Sequence, residues 1–268
     1  MAENSKIQWT DATWNPWHGC VKVSPGCKFC YMFRDKERYG QDPSKVIRSV
    51  TKFHDPLKWN DTNLSGNKIF TCSWSDFFIE EADKWRPAAW NIIKNTPELN
   101  YQILTKRPER IKDCLPDDWD NGYKNVWIGI SVEDQNTANE RIPILNQLPA
   151  YLKFISFEPL LEAIDLFHPD LEGHTWDKLT NELILTLDWA IIGGESGNDT
   201  GKYRYRECEL KWIYDLMKAM QKEDIPVFIK QLGTHLAKEN HLRDRHGGDL
   251  NEWPALLQIR EFPKTITS

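Results

Sequence analysis

The sequence lacks three features that would define its class at once: a long hydrophobic run, a low-complexity tract and an excess of positive charge. No apolar stretch approaches the roughly 20 residues that a membrane-spanning helix needs, and the polar first residues lack the layout of a signal peptide. The 34 Lys and Arg residues are outnumbered by 40 Asp and Glu residues, which argues against a protein that coats nucleic acid nonspecifically. These absences predict a soluble cytoplasmic protein without membrane association.

The composition is that of one globular domain. The chain has 268 residues, of which 40% are hydrophobic, and a chain of this length buries a sizeable core. Short apolar runs recur along it, and their nearly continuous apolar character is typical of strands buried on both faces of a parallel sheet. The predicted strands are Thr13–Trp17, Lys68–Trp74, Tyr101–Thr105, Asn125–Ser131, Leu152–Glu158, Asp188–Gly194 and Ile225–Lys230.

Segments with helical spacing separate these runs. The predicted helices are Tyr31–Tyr39, Glu80–Asn95, Asp134–Gln147 and Glu207–Glu223. The alternation predicts an α/β fold, a complete or partial TIM-like (β/α) barrel of six to seven parallel strands, with a doubly wound open sheet as the competing fold. We expect a single domain over residues 1–268, with a polar insertion at 165–187 and a closing segment at 234–268.

Polar residues follow nearly every predicted strand. Ligands of parallel α/β folds gather beyond the carboxyl ends of the strands, which makes these residues candidates for a site. Any one of them alone is equally well explained as a cap on the following helix. The candidates are Ser73, Ser75, Asp76, Lys106, Ser131, Glu133, Glu158, Gly193, Gly194, Glu195 and Lys230. Among them, Lys106, Glu158 and Lys230 are predicted to be catalytic.

Three of the six cysteines, Cys20, Cys27 and Cys30, lie within eleven residues. In a reducing compartment such a group is more often a metal site or redox centre than a disulfide framework. Three thiolates without an obvious fourth ligand favour a metal centre with one open coordination position, such as an iron–sulfur cluster. With His18 as the fourth ligand, the same thiols would instead form a zinc site. Purely structural thiols are the third interpretation.

The segment Cys27-Lys-Phe29-Cys30 resembles the cysteine motif of radical S-adenosylmethionine enzymes, in which an aromatic residue precedes the last cysteine. The first gap departs from the usual motif, because six residues separate Cys20 from Cys27 where three are usual. The resemblance implies a [4Fe–4S] cluster on Cys20, Cys27 and Cys30, with S-adenosylmethionine on the open iron and a 5′-deoxyadenosyl radical as the reactive species.

The same resemblance implies roles for the residues at the strand ends. Ser73, Ser75 and Asp76 occupy the position of the residues that bind the methionine end of the cofactor. Ser131 and Glu133 fall where ribose contacts are expected. The stretch Gly193-Gly194-Glu195 resembles the later strand that lies under the adenosine, and Phe29 would border the cofactor.

A second resemblance covers almost the whole chain. The motifs that carry it are Trp14-Asn-Pro, the three-cysteine loop, Ser73-Trp-Ser-Asp-Phe-Phe78, Leu104-Thr-Lys-Arg-Pro108, Phe157-Glu-Pro-Leu-Leu161, Ile192-Gly-Gly-Glu-Ser-Gly197, Phe228-Ile-Lys-Gln231 and Gly247-Gly-Asp with Glu252-Trp-Pro254. They resemble a phage and prophage family with a three-cysteine motif. This resemblance implies a mobile-element context but no particular reaction.

Three functions from different classes follow. The first is a radical S-adenosylmethionine enzyme that receives electrons from a donor such as flavodoxin or ferredoxin. Its substrate is unknown, and the positive charge of Lys106, Arg107, Lys230, Arg204 and Arg206 favours a nucleotide or a nucleic acid. Ion pairing with Glu133, Glu158 and Glu195 explains the same charges nearly as well. The second is a zinc-binding accessory protein or metal-dependent hydrolase that uses His18, Cys20, Cys27 and Cys30. The third is a nucleic-acid-associated phage factor with structural cysteines. The sequence specifies neither the substrate nor the oligomeric state.

Overall fold

A computed structural model describes residues 5–60, 62, 66–180 and 182–264. Its strands are β1 (Ala12–Trp14), β2 (Trp17–His18), β3 (Ile47–Arg48), β4 (Lys68–Thr71), β5 (Asn100–Thr105), β6 (Val126–Ser131), β7 (Leu152–Phe157), β8 (Trp176–Asp177), β9 (Glu182–Leu183), β10 (Trp189–Gly193) and β11 (Val227–Gln231). Its α-helices are α1 (Tyr31–Arg38), α2 (Asp55–Trp59), α3 (Arg86–Lys94), α4 (Ile111–Cys114), α5 (Gln135–Gln147), α6 (Leu210–Lys222) and α7 (Gly233–Glu239). Short 3₁₀ segments are Pro25–Cys27, Glu80–Ala82, Pro108–Arg110, Pro169–Leu171, Leu250–Glu252 and Ala255–Leu257.

Seven of the strands form one parallel sheet in the order β1-β4-β5-β6-β7-β10-β11. In its register Ala12 faces Ile69, Tyr101 faces Val126, and Ile191 faces Ser156 and Phe228. Strands β6 and β10 are buried along their whole length, as the continuous apolar runs predict for a sheet covered on both faces. The predicted fold class, a partial (β/α) barrel of seven parallel strands, is confirmed.

The described residues fall into two compact units. The first lies within Met1–Val23, Cys30–Ile130 and Gln147–Leu152, and the second lies within Ser24–Phe29, Ser131–Asn146 and Lys153–Ser268. Large apolar side chains with no exposure form the core of each. In the first unit they include Trp14, Trp17, Phe77, Tyr101 and Ile103, and in the second unit they include Phe154, Phe157, Trp189, Ile191 and Ile213. The single domain expected over residues 1–268 stays a prediction.

The longest helices follow from their apolar patterns. Helix α6 buries Ile213, Leu216, Met217 and Met220 on one face, which is the stripe that the helical spacing predicts. Helix α1 ends at Arg38, two residues before Gly40, whose φ of +64° suits a helix terminus. Over the described ranges no helix is long and apolar enough to cross a bilayer. The cytoplasmic location stays a prediction.

Local backbone chemistry explains where the predicted elements differ from the observed ones. Strand β4 ends at Thr71 rather than at Trp74, because Cys72 adopts a left-handed φ of +64° that a strand does not accommodate. The predicted helix over 80–95 is divided into a 3₁₀ turn and α3, whose first turn holds Pro87. The polar insertion contains the hairpin β8–β9, and the closing segment contains α7 up to Glu239.

Candidate functional site

The segment Gly19–Cys30, called the cysteine loop below, lies between β2 and α1. Its first residues belong to the first unit and the residues 24–29 belong to the second. Cys27 is buried, and Cys20 and Cys30 are partly exposed. The Sγ atom of Cys27 lies 3.7 Å from the Oγ atom of Ser24. All six cysteines of the chain are reduced thiols.

The start of the cysteine loop is fixed by the residues that follow β4. The backbone N–H of Gly19 donates to the carbonyl of Trp74 at 3.0 Å, and the Ser75 hydroxyl donates to the carbonyl of Gly19 at 2.6 Å. Gly19 has a φ of +96°, and a Cβ atom there would lie 2.2 Å from the carbonyl oxygen of Lys45. Only glycine fits this position. The Ser73 hydroxyl bonds the side chain of Asn15 at 2.9 Å.

A buried ion pair joins the ends of β4 and β5 to the cysteine loop. Arg107 Nη1 lies 3.1 Å from Asp76 Oδ2, and both side chains are less than a tenth exposed. Asp76 also accepts hydrogen bonds from the Thr105 hydroxyl at 2.7 Å and from the backbone N–H groups of Phe78 and Lys106 at 2.9 and 3.0 Å. Its carboxylate is therefore fully engaged, so a ligand at this point would compete with Arg107.

Arg107 extends from this ion pair to the first cysteine. Its Nη2 atom donates to the carbonyl of Val21 at 2.8 Å, and its Nη1 atom lies 3.8 Å from the Sγ atom of Cys20. Burial alone would lower the pKa of Arg107, but Asp76 and Cys20 outweigh it and raise that pKa above the ordinary value. Arg107 therefore stays charged and connects the Asp76 carboxylate to the backbone and the first thiol of the cysteine loop.

Cys72 lies close enough to Asp76 and Cys20 to be affected by their charges, but it is more buried than Cys20. Its thiol is 2% exposed, and burial, followed by the charges of Asp76 and Cys20, raises its pKa well above the usual value. The thiol is therefore neutral at physiological pH.

In the second unit, Glu133 lies against residues 24–26 of the cysteine loop. Its side chain has no exposure, and its Oε1 atom accepts a hydrogen bond from the Ser24 hydroxyl at 2.9 Å and lies 3.5 Å from Arg141 Nη1. A Cβ atom on Gly26 would lie 2.6 Å from the Glu133 carboxyl group. Arg141 also donates to the carbonyl of Ser131 at 2.7 Å. The ribose contacts expected of Ser131 and Glu133 stay predictions.

The Gly-Gly-Glu stretch reaches the same loop through Arg206. The Glu195 carboxylate receives hydrogen bonds from Arg206 Nη2 at 2.5 Å and from its Nε and backbone N at 2.9 Å. Arg206 Nη1 donates to the carbonyl of Pro25 at 3.0 Å, and its guanidinium lies 5.4 Å from the ring centre of Phe29. This bidentate pair makes Glu195 a support for the cysteine loop.

Two of the three predicted catalytic side chains meet at the ends of β7 and β11. Lys230 Nζ lies 2.6 Å from Glu158 Oε1. Gln231 Nε2 also approaches that oxygen, at 3.3 Å, and donates to the carbonyl of Gly194 at 2.9 Å. Both members of the ion pair keep some exposure, at 23% and 16%. Lys106, in the first unit, is connected to Asp76 through its backbone N–H.

Sequence reasoning missed the residues that hold the cysteine loop. Arg107 and Arg206 were candidates for substrate binding, but each guanidinium is hydrogen-bonded within the protein. Arg107 bonds the carboxylate of Asp76 and the carbonyl of Val21, and Arg206 bonds the carboxylate of Glu195 and the carbonyl of Pro25. Arg141 lies within helix α5, where no strand-end pattern points to it. A cavity of about 640 Å³ lies elsewhere in the first unit, beside Trp90, Cys114 and Tyr123, and contains none of the predicted site residues.

The cysteine loop offers three thiols on one short segment, with the guanidinium of Arg107 beside Cys20, and thiols are the donors that iron–sulfur clusters use. Within 5–60, 62, 66–180 and 182–264, no three His, Cys, Asp or Glu side chains form a ready-made metal site. His18 has a pKa lowered by burial and then by Lys36, and its Nδ1 atom is buried without a hydrogen-bond partner in the described structure.

The sequence matches, over residues 4–255, a family described as a protein of unknown function, DUF5131. The chain belongs to the DUF5131 family. No curated protein matches this DUF5131 sequence. Among solved structures, a mutant of spore photoproduct lyase is similar, with a TM-score of 0.50 and 12% identity over 81% of this chain and 75% of that chain. At this identity the likeness establishes the fold of the DUF5131 chain and nothing more.

A tight backbone contact beside Glu195 gives a stability prediction. A Cβ atom on Gly194 would lie 2.2 Å from the carbonyl oxygen of Leu232, whereas one on Gly193 would lie 3.3 Å from its nearest neighbour. We expect Gly194→Ala to lower the free energy of unfolding by about 1–3 kcal/mol or more, because two backbone segments must separate. Gly193→Ala is the matched control and should cost less than about 1 kcal/mol. Equal losses in urea denaturation would contradict the assigned contact.

Proposed function

We propose that this DUF5131 protein is a radical S-adenosylmethionine enzyme. The observation that carries the proposal is the partial-barrel likeness to spore photoproduct lyase, which is an enzyme of that class, in a chain with three cysteines on one loop. Cys20, Cys27 and Cys30 would hold a [4Fe–4S] cluster. When bound, the cluster with S-adenosylmethionine on its open iron supplies one-electron cleavage of a carbon–sulfur bond, which releases methionine and a 5′-deoxyadenosyl radical.

The protein residues have supporting roles in this proposal. Arg107 contacts the thiol of Cys20 and fixes the backbone at Val21, while Asp76 holds Arg107 in place. Glu195 acts in the same way through Arg206 on the backbone of Pro25. These contacts would keep the loop rigid, which a catalytic centre requires of the residues around its ligands.

The other strand-end residues would meet the cofactor and the substrate. We assign the methionine end to Ser73 and Ser75, the ribose to Ser131 and Glu133, and the adenosine to Gly193 and Gly194, with Phe29 bordering the cofactor; Asp76 and Glu195 would act beside these residues through Arg107 and Arg206. We assign catalytic roles to Lys106, Glu158 and Lys230. The Glu158–Lys230 ion pair supports this, since a partly exposed pair can exchange a proton with a bound substrate.

The proposed substrate carries a phosphate or carboxylate group and belongs to the nucleotides or nucleic acids. Lys106 follows β5 and Lys230 lies near the end of β11, and the positive charge of a lysine attracts such anionic groups. The phage or prophage context and the cytoplasmic location stay predictions alongside this proposal.

A zinc site is the second candidate function. The observation that favours it is His18, whose Nδ1 atom lacks a hydrogen-bond partner in the described structure and whose lowered pKa keeps the imidazole neutral, as metal ligation requires. Metal analysis after aerobic and anaerobic purification separates the two candidates. Stoichiometric zinc without iron or sulfide would overturn the radical enzyme in favour of a zinc protein.

The proposed reaction predicts a specific product. We expect the anaerobically reconstituted protein to absorb at about 400 nm and to release 5′-deoxyadenosine from S-adenosylmethionine only when dithionite is present. Liquid chromatography with mass detection measures the product, and omission of either the reductant or the iron is the control. An iron-replete preparation that gives no 5′-deoxyadenosine, with or without nucleotides and oligonucleotides present, would contradict the proposed activity.

A further inference from the structure

Lys36 is a fully buried lysine on α1. It is 1% exposed, and it lies one helical turn after Met32, which is buried on the same face of the helix. Across residues 5–60, 62, 66–180 and 182–264, its ammonium group forms neither a hydrogen bond nor an ion pair. Lysine is almost never fully buried unless it is paired. Within the described chain, the burial of this charge is therefore unexplained.

The chain that follows α1 turns back onto Lys36. The backbone N–H of Gln41 donates to the carbonyl of Lys36 at 2.9 Å. Residues 37–42 are all exposed. The ammonium group of Lys36 is therefore covered by the protein but lies close to the surface of the first unit.

A second unsatisfied group, the imidazole of His18, lies close to Lys36. The Nδ1 atom of His18 is buried and has no hydrogen-bond partner among the described residues. Burial, followed by the positive charge of Lys36, lowers the pKa of His18. His18 pairs with Ile47 in the two-stranded sheet β2–β3, and the backbone N–H of Cys20 donates to the carbonyl of Pro43 at 2.9 Å. These bonds fix the chain on both sides of the imidazole.

Asp42 does not supply the missing counter-charge. Burial lowers the pKa of Lys36, and the charge of Asp42, the smaller contribution, raises it. The carboxylate of Asp42 is exposed and accepts hydrogen bonds from the backbone N–H and the hydroxyl of Ser44 at 2.9 and 2.6 Å. Since solvent screens an exposed charge, Asp42 leaves the buried ammonium group largely uncompensated. A buried charge without a partner is unfavourable.

We propose that Lys36 and His18 form a binding site for a single oxyanion group, either a phosphate or a carboxylate. One oxygen of the group accepts from the ammonium N–H groups of Lys36, and a second oxygen accepts from His18 when the imidazole carries its proton on Nδ1. The negative charge of the group compensates the charge of Lys36. A neutral ligand would satisfy the hydrogen bonds but leave that charge unpaired, and a metal cation would be repelled by it.

This site is independent of the proposed cluster, because it uses none of the three thiols of the cysteine loop. The oxyanion has two possible sources, a phosphate or a carboxylate, and the two probes of the test separate them.

The test uses the full-length protein, treated with a chelator to remove metal ions, with inorganic phosphate and acetate as separate probes. Isothermal titration calorimetry measures binding of each probe at constant ionic strength set with chloride. The variant is Lys36→Met, which keeps the length of the side chain and removes its charge. The matched control is Lys58→Met, which makes the same change at an exposed lysine of α2 in the first unit.

We expect the parent protein to bind one equivalent of at least one probe, Lys36→Met to weaken that binding by at least about tenfold, and Lys58→Met to change it by less than about twofold. Tighter binding of phosphate assigns the site to phosphate-bearing ligands, and tighter binding of acetate assigns it to carboxylates. No saturable binding of either probe by the parent, or equal binding by the parent and Lys36→Met, would overturn the site.

Urea denaturation gives a second, independent readout. Without a probe, the midpoint of Lys36→Met should equal or exceed that of the parent, because the variant removes an unpaired buried charge. Saturating probe should raise the midpoints of the parent and Lys58→Met but not that of Lys36→Met. An equal rise in all three proteins would contradict the proposal, since it would reflect a general salt effect. If Lys36→Met does not fold, Lys36→Gln, which keeps a polar group at this position, replaces it in both measurements.

Discussion

Replacing any one of Cys20, Cys27 and Cys30 with alanine is expected to abolish cluster binding. A cubane held by three thiolates keeps only two after each replacement, and two thiolates do not retain it. We expect bound iron to fall below about a tenth of the parent value, with loss of the absorbance at about 400 nm and of 5′-deoxyadenosine release. Iron and sulfide analysis after anaerobic reconstitution measures the effect.

Cys114→Ala is the control for this series. Cys114 lies beside Arg86 and Arg110 in the first unit, and burial raises its pKa. It takes no part in the cysteine loop, so its replacement should leave the iron content unchanged. Full iron retention in Cys20→Ala, Cys27→Ala or Cys30→Ala would refute the ligand assignment, whatever the activity of the protein.

Breaking the Arg107–Asp76 ion pair is expected to cause the largest loss of stability among the site variants. Both side chains are less than a tenth exposed, and removal of one partner leaves the other charge buried without compensation, which typically costs about 3–5 kcal/mol. We expect Arg107→Leu to lower the free energy of unfolding by this amount. Urea denaturation of the protein without cluster measures the loss independently of any metal.

Two further variants test the cause of that loss. Lys211→Ala removes an exposed ion pair with Asp215 and should cost no more than about 1 kcal/mol. The double variant Arg107→Leu, Asp76→Asn removes both charges, while the amide oxygen can still accept from the Thr105 hydroxyl and the N–H of Phe78, so we expect it to recover part of the stability that Arg107→Leu loses. A loss in Arg107→Leu no greater than in Lys211→Ala would show that the pair is not buried in solution.

The sequence allowed the sheet to be predicted well, since a strand buried on both faces leaves a continuous apolar run. The runs at 126–131 and 189–193 are found as β6 and β10, buried throughout. Short elements were missed, such as α2 and the two-stranded antiparallel sheet β2–β3, because two to five residues carry too little periodicity to detect. The early end of β4 depends on the left-handed backbone of Cys72, which a cysteine gives no reason to expect.

The candidate site was predicted in its residue types but not in its connections. Polar strand ends indicated Asp76, Glu133 and Glu195, and each of them contacts the cysteine loop directly or through an arginine. Those contacts join residues that are separated by 86 to 181 positions, such as Ser24 and Glu133. Only the folded chain brings such pairs together, so no local pattern could have indicated that these carboxylates support the loop.

The chain between the first two cysteines is hydrogen-bonded to neighbouring elements on both sides of Lys22 and Val23. Gly19 and Val21 are bonded to Trp74, Ser75 and Arg107, and Ser24 and Pro25 are bonded to Glu133 and Arg206. Lys22 and Val23 between them are exposed. The wide spacing of Cys20 and Cys27 therefore includes an exposed stretch at Lys22 and Val23. A change of one residue in the length of this stretch is compatible with the hydrogen bonds on either side of it.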